Sequence, residues 1–418
     1  LAPILRREHG RLGIGERTLA SIDSINSTTV FVVSGQQAGL FGGPLYTLYK
    51  ALHSACLARR LTRDTGRHVL PLFWIASDDH DFDEVKGIGL RTSDGSSLRA
   101  DYTPIGYREG MPVGDIMLDP GIDNALGLLE SSLVPGDRSE WYRSIIRNAW
   151  RKGVLWTDAF ASQMASMFAR YGLILLDPRW QGVKSLFGDI FAAELSDPLA
   201  SAALVNEEAK KLEQKGTPVR GLRNPEGSTN LFLEVEGIRH PLRFDHGTFS
   251  AGTAEFTVKN LLDLLDTSTE LFSPGAALRP VCQDAILPVA ALIAGPGERR
   301  YLGQLRPLYD RFGVDSSLIV PRASFTIIDR RVLRVSKKER VQVARLFDDP
   351  VRLVSEMASD AFPGDIAQAF DSVARSIDRE FSALADSISR LDCTLVDSVL
   401  KEKGKVLHIV EGVRARAM

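Results

Sequence analysis

Short apolar runs alternate with helical patterns over the first three quarters of the chain. The runs lie at 28–33, 68–76, 172–178, 285–294 and 317–321. Run 68–76 is almost continuously apolar, which is typical of a strand buried on both faces of a parallel sheet. A glycine-rich loop and a helical pattern over 45–61 separate it from run 28–33. Strand, helix and strand in this order predict an α/β fold with a parallel-sheet core, which we place at residues 28–335.

The hydrophobic pattern also predicts what surrounds this core. Residues 1–27 form an N-terminal helical segment, and two stretches, about 87–135 and 225–252, interrupt the core as insertions. Residues 340–418 form a helical arm. Within the arm, apolar residues recur every three or four positions at Ile366, Phe370, Val373, Ile377, Phe381, Leu384, Ile388, Leu391, Leu395 and Val399. This near-heptad seam predicts one long coiled-coil helix. Its partner is either an antiparallel return helix or a second chain, and we expect a homodimer.

Composition narrows the class of protein. The 418 residues are 44% hydrophobic and 25% charged, as in ordinary globular proteins, and 51 basic against 53 acidic residues give a net charge of −2. Because there is no basic excess, nucleic acid and anionic membranes are not expected partners. No apolar run is long enough to span a bilayer, and no signal-peptide pattern is present. Three scattered cysteines predict neither a disulfide framework nor a cysteine zinc site, and they fit the cytoplasm.

The loop after the first apolar run is the first candidate for a site. It contains Gly35, Gln36, Gln37, Gly39 and Gly42. Glycines allow a ligand to approach the backbone, and a following helix N-terminus favours anions. The loop matches neither the dinucleotide fingerprint nor the P-loop. We expect it to line a ligand cleft, with a plain glycine-rich turn as the alternative.

An acidic cluster follows the run 68–76 and is the second candidate. It includes Asp78, Asp79, His80 and Asp83. Ligands bind at the carboxyl ends of parallel strands, and so many carboxylates need a cationic partner. That partner is Mg²⁺, a substrate ammonium group, or internal Arg and Lys side chains. We expect His80 to act as a general base, because its ordinary pKa lies near neutrality. The alternative is that these residues only cap a turn.

A third set of candidate ligand-binding residues lies between 273 and 298. It comprises Ser273, Arg279, Gln283, Asp284, Gly295, Gly297 and Glu298. Arg279 is suited to bind a carboxylate or phosphate, and the alternative is an ion pair with Asp284. The second glycine break, at Gly295–Gly297, precedes a predicted helix and gives another anion-receptive N-terminus. No metal ligands are assigned.

Two long motifs carry a specific resemblance to a known family. They read VVSGQQAGLFGGPLYTLYK and PLFWIASDDHDFDEV, and FSPGAALRPVCQDAILP, AGPGERRYLGQL and VPRAS match further along. The sequence resembles the cysteine ligases of bacillithiol biosynthesis over most of its length. The resemblance implies a Rossmann-like core with connecting-peptide insertions and a helical coiled-coil arm. It also implies a core similar to nucleotidylyl transferases and class I aminoacyl-tRNA synthetases, although their H-x-G-H motif is replaced here by Gly35–Gly39, which contain no histidine.

The family implies a reaction that joins L-cysteine to the amine of glucosaminyl malate. A free carboxylate is a poor electrophile at neutral pH, so it needs activation, and ATP is the usual source. We therefore expect ATP or ADP as a ligand, Mg²⁺ as its companion, and two small-molecule substrates. Two alternatives stay open: a nucleotide- or sugar-binding module without catalysis, and another nucleotidyltransferase on the same core.

Overall fold

The computed structural model describes residues 1–92, 95–216, 222 and 225–417. Residues 93 and 94 of the first predicted insertion and residue 418 of the predicted arm lie outside the described residues. The chain divides into two compact units, Leu1–Ser324 and Phe325–Met418. Among the described residues all strands lie in the first unit, and each unit is described by itself below.

The first unit contains thirteen helices among the described residues. They are α1 (Ala2–Arg11), α2 (Glu16–Asp23), α3 (Leu45–Thr65), α4 (Phe82–Val85), α5 (Ile122–Ser132), α6 (Asp137–Ala149), α7 (Trp156–Phe168), α8 (Gly188–Ser196), α9 (Ala200–Gln214), α10 (Val258–Thr267), α11 (Leu278–Ile286), α12 (Pro296–Leu302) and α13 (Arg306–Phe312). The strands are β1 (Val30–Gln36), β2 (Val69–Ile75), β3 (Gly87–Arg91), β4 (Ser97–Asp101), β5 (Ile174–Leu176), β6 (Ser228–Val235), β7 (Ile238–Asp245), β8 (Thr248–Ala251), β9 (Ala254–Phe256), β10 (Phe272–Pro274), β11 (Val289–Ala294) and β12 (Leu318–Pro321).

The core is a parallel five-stranded sheet in the order β12-β11-β1-β2-β5. Numbered by their order along the chain, these strands read 5-4-1-2-3, which is the Rossmann arrangement. Each of the five apolar runs of the sequence overlaps one of these strands, so the prediction of an α/β fold with a Rossmann-like parallel core is confirmed. Every residue of β2 is buried, which explains its uninterrupted apolar sequence.

Helix α3 covers the sheet with a buried stripe at the spacing of a helical face. The stripe comprises Thr47, Lys50, Ala51, Ser54, Ala55 and Ala58. Its small side chains let the helix lie close to β1 and β2. One member of the stripe is a lysine, and this lysine becomes important at the site.

Two smaller sheets interrupt the core. The strands β3 and β4 form an antiparallel pair in the first predicted insertion, followed by α5. The second insertion is larger than the stretch 225–252 suggested, because it forms a five-stranded sheet in the order β10-β6-β7-β8-β9. Strand β10 joins this sheet from beyond α10, which the local sequence pattern did not indicate.

The second unit is helical, with α14 (Arg330–Lys338), α15 (Pro350–Ala361), α16 (Gly364–Ser389) and α17 (Val396–Ala417). The expected single helix through residue 399 is wrong, because α16 ends at Ser389. A turn follows, in which the Asp392 side chain accepts a hydrogen bond from the Thr394 backbone N–H at 2.8 Å. Helix α17 then packs along α16 as the return helix. Of the last two seam residues, Leu395 thus lies in this turn and Val399 lies in α17.

Candidate ligand-binding site at the carboxyl ends of the sheet

The candidate residues gather where the strand order reverses. Strand β1 pairs with β2 on one side and with β11 on the other. The connections therefore leave the sheet in opposite directions from neighbouring strands, and this opens a crevice at their carboxyl ends. Gly35 and Gln36 end β1, and Gly295 directly follows β11.

A buried lysine joins the two sides of this crevice. Lys50 of α3 is 2% exposed, and its Nζ donates to the Gly35 carbonyl at 2.8 Å and to Gln36 Oε1 at 2.9 Å. The same Nζ lies 2.5 Å from Glu298 Oε2. Burial lowers the pKa of Lys50, although the Glu298 carboxylate acts to raise it. All three ammonium protons of Lys50 have acceptors, so this residue has no proton left to donate to a ligand. It instead holds β1 and α12 together.

Lys50 also determines how Gln36 faces the crevice. Because the ammonium group can only donate, the amide oxygen of Gln36 must point toward it. The Gln36 Nε2 group then points away from Lys50 and has no hydrogen-bond partner among the described residues. Gln36 is half-buried. Its two amide N–H donors are therefore available, and the role of Gln36 in binding a ligand stays a prediction.

The glycine loop packs against the protein rather than forming an open cradle. Gly39 and Gly42 are both buried, and a side chain on Gly39 would meet the Gly43 Cα at 2.6 Å. Gly42 has a φ of +94°, and a side chain there would meet the Gln163 amide at 2.8 Å. These glycines are therefore needed for the loop itself, whereas their role in binding a ligand stays a prediction.

Three buried hydrogen bonds hold this loop in place. Trp156 Nε1 donates to the Ala38 carbonyl at 2.6 Å, and Gln163 Nε2 donates to the Phe41 carbonyl at 2.8 Å. The Gln163 Oε1 atom accepts in turn from Trp150 Nε1 at 2.6 Å. All these partners lie in or beside α7, so this helix determines the path of the loop.

The acidic cluster separates into three environments. Asp78 is buried, and its Oδ1 lies 2.8 Å from Lys184 Nζ and 3.3 Å from Arg179 Nη1. Burial acts to raise the pKa of Asp78, but Lys184 and Arg179 outweigh it and hold that pKa low. The cationic partner of Asp78 is thus internal, which was one of the three possibilities that the sequence left open.

The other two carboxylates diverge. Asp79 accepts a hydrogen bond from Gln37 Nε2 at 2.7 Å, which links the acidic cluster to the glycine loop. The side chain of Asp83 is 82% exposed and pairs with Lys86 on the outer face of α4. The structure therefore does not bring Asp83 to the edge of the sheet with the others. Asp83 lies on the solvent-facing side of α4, whereas Phe82 and Val85 lie on its buried side.

His80 contacts the inserted sheet. Its Nδ1 accepts a hydrogen bond from Arg239 Nη1 at 3.0 Å, and its ring lies 5.8 Å from the ring of Phe232. Burial and the Arg239 charge lower the pKa of His80, and they outweigh Asp79 and Asp81, which act to raise it.

The third candidate set surrounds α11. Arg279 Nη1 donates to Gln283 Oε1 at 3.2 Å, and Gln283 Nε2 donates to Asp284 Oδ1 at 2.9 Å. The alternative of an ion pair between Arg279 and Asp284 is wrong, since Asp284 binds Tyr309 OH at 3.0 Å instead. Burial raises the pKa of Asp284. Arg279 is half-buried and keeps guanidinium donors for a ligand.

The remaining members of that set have internal partners. Gly295 N–H donates to Glu298 Oε2 at 2.7 Å, so the N-terminus of α12 is capped by its own glutamate. Gly297 is exposed, with open space where a side chain would be. Ser273 is buried and accepts a hydrogen bond from Arg239 Nε at 2.8 Å. The binding role of these residues stays a prediction.

A cavity of about 740 Å³ lies beside the end of β5. Its charged lining includes Asp115, Asp177, Arg179, Lys184 and Glu234. Arg179 Nη2 binds both Asp115 oxygens at 2.6 Å, and Arg179 Nη1 binds Glu234. Burial raises the pKa of Asp177 to about 6.

The sequence did not indicate several of these residues. Lys50 was recognisable in principle, because a lysine within a stripe of alanines and serines must find partners when the helix packs. Arg179, Lys184, Glu234 and Arg239 carried no such signal, since their charged partners and His80 are distant in sequence.

Metal and membrane features can be stated for the described part of the chain. Within it, no group of three or more His, Cys, Asp or Glu side chains is arranged to hold a metal ion. The described helices also include none that is both long enough and apolar enough to cross a bilayer.

Comparison with known proteins identifies the family. Residues 1–323 match the model described as the bacillithiol biosynthesis BshC, N-terminal Rossmann-like domain. The chain is 34% identical over 379 residues to the "Putative cysteine ligase BshC" of Salinibacter ruber, covering 88% of this chain and 68% of that protein. Proteins of the same name from Koribacter versatilis and Chloroherpeton thalassium are each 32% identical, over 370 and 342 residues. These alignments cover 88% and 80% of this chain, and 68% and 60% of the relatives. The chain therefore belongs to the BshC family, and its parallel core is the family's Rossmann-like domain.

Proposed function

We propose that this protein is a ligase that adds L-cysteine to the amine of glucosaminyl malate, with ATP activating the cysteine carboxylate. The observation that carries the proposal is the family match over residues 1–323, because the relatives are named cysteine ligases. The polar groups at the carboxyl ends of β1, β2 and β11 support it, since they gather at the place where Rossmann folds bind ligands.

The proposed reaction has two steps. The cysteine carboxylate attacks ATP and forms an acyl-adenylate with release of pyrophosphate, or an acyl-phosphate with release of ADP. The sugar amine then attacks the acyl carbon, forms the amide bond and expels AMP or phosphate, and the nitrogen loses a proton to solvent or a base. Both steps place negative charge on oxygens, which N–H donors stabilise.

The described residues suit these demands in a specific way. Gln36 offers N–H donors that Lys50 has oriented, and Arg279, whose charge acts on Lys50, offers guanidinium donors. Both can hold carboxylate or phosphoryl oxygens without moving. The described carboxylates do not by themselves form a Mg²⁺ site, so no step is assigned to a metal ion.

The test is a reaction mixture that contains the protein, ATP, L-cysteine and glucosaminyl malate. We expect the amide product by mass spectrometry, together with one equivalent of AMP or ADP. Binding of nucleotide or sugar without any product would favour a binding module instead. Pyrophosphate release that needs neither cysteine nor the sugar would favour another nucleotidyltransferase.

Matched arginine variants connect the activity to the crevice. Arg279→Met should lower product formation at least tenfold, because it removes the guanidinium donors. Arg299→Met lies on the neighbouring α12 and is exposed, so it should retain wild-type activity. Equal activity in the two variants would contradict the placement of the site.

A further inference from the structure

A buried arginine of the inserted sheet contacts His80, which follows β2. Arg239 of β7 is 8% exposed, and its guanidinium carbon lies 3.6 Å from the centre of the Phe232 ring. Its Nε donates to Ser273 Oγ at 2.8 Å, and its Nη2 donates to the Pro274 carbonyl at 3.0 Å. These contacts fix the plane and the direction of the guanidinium group.

The remaining guanidinium donor determines the protonation of His80. Arg239 Nη1 lies 3.0 Å from His80 Nδ1. A guanidinium group only donates, so Nδ1 must be an acceptor without a proton. A neutral imidazole then carries its proton on Nε2. The Nε2 atom has no hydrogen-bond partner in the part of the chain that the structure describes.

We propose that Arg239 is a positioning residue that holds His80 as the neutral Nε2–H tautomer, so that His80 donates a hydrogen bond to an oxygen of the ligand. This replaces the expected role of general base, because the nitrogen that faces away from Arg239 already carries the proton. The suited ligand group is a carboxylate, a phosphoryl oxygen or a carbonyl. If the proposed ligase reaction holds, the ligand oxygen that His80 binds is the acyl oxygen, which becomes negative when the amine attacks.

The charges around His80 agree with a neutral ring. Asp79 and Asp81 from its own segment act to raise its pKa, whereas Arg239 and His240 from β7 act to lower it. Burial is the largest influence and also lowers the pKa.

Nuclear magnetic resonance tests the tautomer directly and without substrates. The full chain is labelled with ¹⁵N-histidine, and long-range ¹H–¹⁵N spectra are recorded between about pH 5 and 8, around the reference pKa of histidine. The His80 signals are those that disappear in His80→Asn. We expect an Nε2–H tautomer with a pKa below that of free histidine. A charged ring at pH 7, or a proton on Nδ1, would overturn the proposal.

Variants of β7 test the role of Arg239. In Arg239→Met the pKa of His80 should rise, because a neighbouring positive charge is removed. Arg243→Met removes an exposed arginine from the same strand and should leave the titration unchanged. An unchanged His80 titration in a folded Arg239→Met protein would refute the proposal. If Arg239→Met does not fold, the tautomer of His80 measured in the wild-type protein tests the proposal.

The ligase assay separates this inference from the proposed function. Glutamine can place an N–H near the Nε2 position, so His80→Gln should retain at least tenfold more product formation than His80→Ala. Equal loss in both variants would contradict the donor role. If the wild-type protein makes no product but the tautomer is as expected, the proposed reaction fails and the assignment of His80 stands.

Discussion

A buried histidine should make the stability of the first unit sensitive to mild acid. His9 of α1 is fully buried, its Nδ1–H donates to the Leu5 carbonyl at 2.8 Å, and its Nε2 accepts from the Leu175 N–H at 3.1 Å. Both ring nitrogens are thus used by the neutral form. Burial lowers the pKa of His9 to about 4, although the Leu5 hydrogen bond and Glu8 act to raise it.

The sign and size of the effect follow from this shift. Between about pH 6.5 and pH 4, the unfolded chain binds a proton at this position that the native chain does not bind. The free energy of unfolding therefore falls as the pH falls through this window. From pH 7 to pH 5 the loss from His9 alone is about 2 kcal/mol.

Asp177 partly hides this loss in the wild-type protein. Because burial raises its folded pKa to about 6, the native state binds a proton there more readily than the unfolded state, and this stabilises the fold as the pH falls. The effect of His9 must therefore be measured as a difference between variants, in which the Asp177 contribution cancels.

The assay is urea unfolding at pH 7 and pH 5, followed by tryptophan fluorescence. All five tryptophans lie between residues 74 and 180, so the signal reports on the first unit. His9→Gln should be less stable than wild type at pH 7, and the gap should narrow by about 2 kcal/mol at pH 5. His246→Gln removes a histidine whose side chain is 96% exposed and serves as the control. A gap that is equal at the two pH values would refute the reasoning.

Three further predictions concern the loop and the helical hairpin. Gln163→Leu leaves the buried Trp150 Nε1 unpaired, whereas the Phe41 carbonyl keeps its hydrogen bond from Tyr142 OH, so the free energy of unfolding in urea should fall by about 1–3 kcal/mol. The exposed Gln214→Leu should change it by less than about 0.5 kcal/mol. Gly39→Val should lower the melting temperature without any ligand, because its side chain has no room, and a wild-type melting temperature would show that the loop relaxes freely. Ile388→Asp should reduce the helical circular dichroism, since this residue is half-buried in the hairpin, whereas Leu384→Asp, at a position 47% exposed, should alter only the mass of an assembled dimer in light scattering. An unchanged mass in Leu384→Asp would count against a homodimer through this face.

The core was predictable because its physical requirement is local. A strand buried on both faces, such as β2, must be apolar throughout, and its sequence shows this directly. The end of α16 was not predictable by the same reasoning. Its turn contains neither glycine nor proline, and apolar residues continue through it at helical spacing. The side-chain cap of Asp392 was the local signal, and the heptad pattern obscured it.

The site was only partly predictable, because its chemistry depends on partners that are distant in sequence. Gln36, Asp78 and His80 were selected as candidates from their position after strands. The orientation of Gln36, the charge of Asp78 and the tautomer of His80 were not predictable. Lys50, Lys184 and Arg239 determine them. An acidic run alone suggests a missing cation, whereas the fold supplies the cation for Asp78 from 106 residues further along the chain.

The anchored loop between β1 and α3 has a thermodynamic consequence for ligand binding. Ordering a free backbone residue costs roughly 1–2 kcal/mol, and this cost would normally be subtracted from affinity when a loop closes over a ligand. Here the tryptophan and glutamine bonds have already ordered the loop during folding. Association should therefore be limited by diffusion and orientation rather than by loop closure. Variants of the crevice should then differ mainly in how fast the ligand leaves.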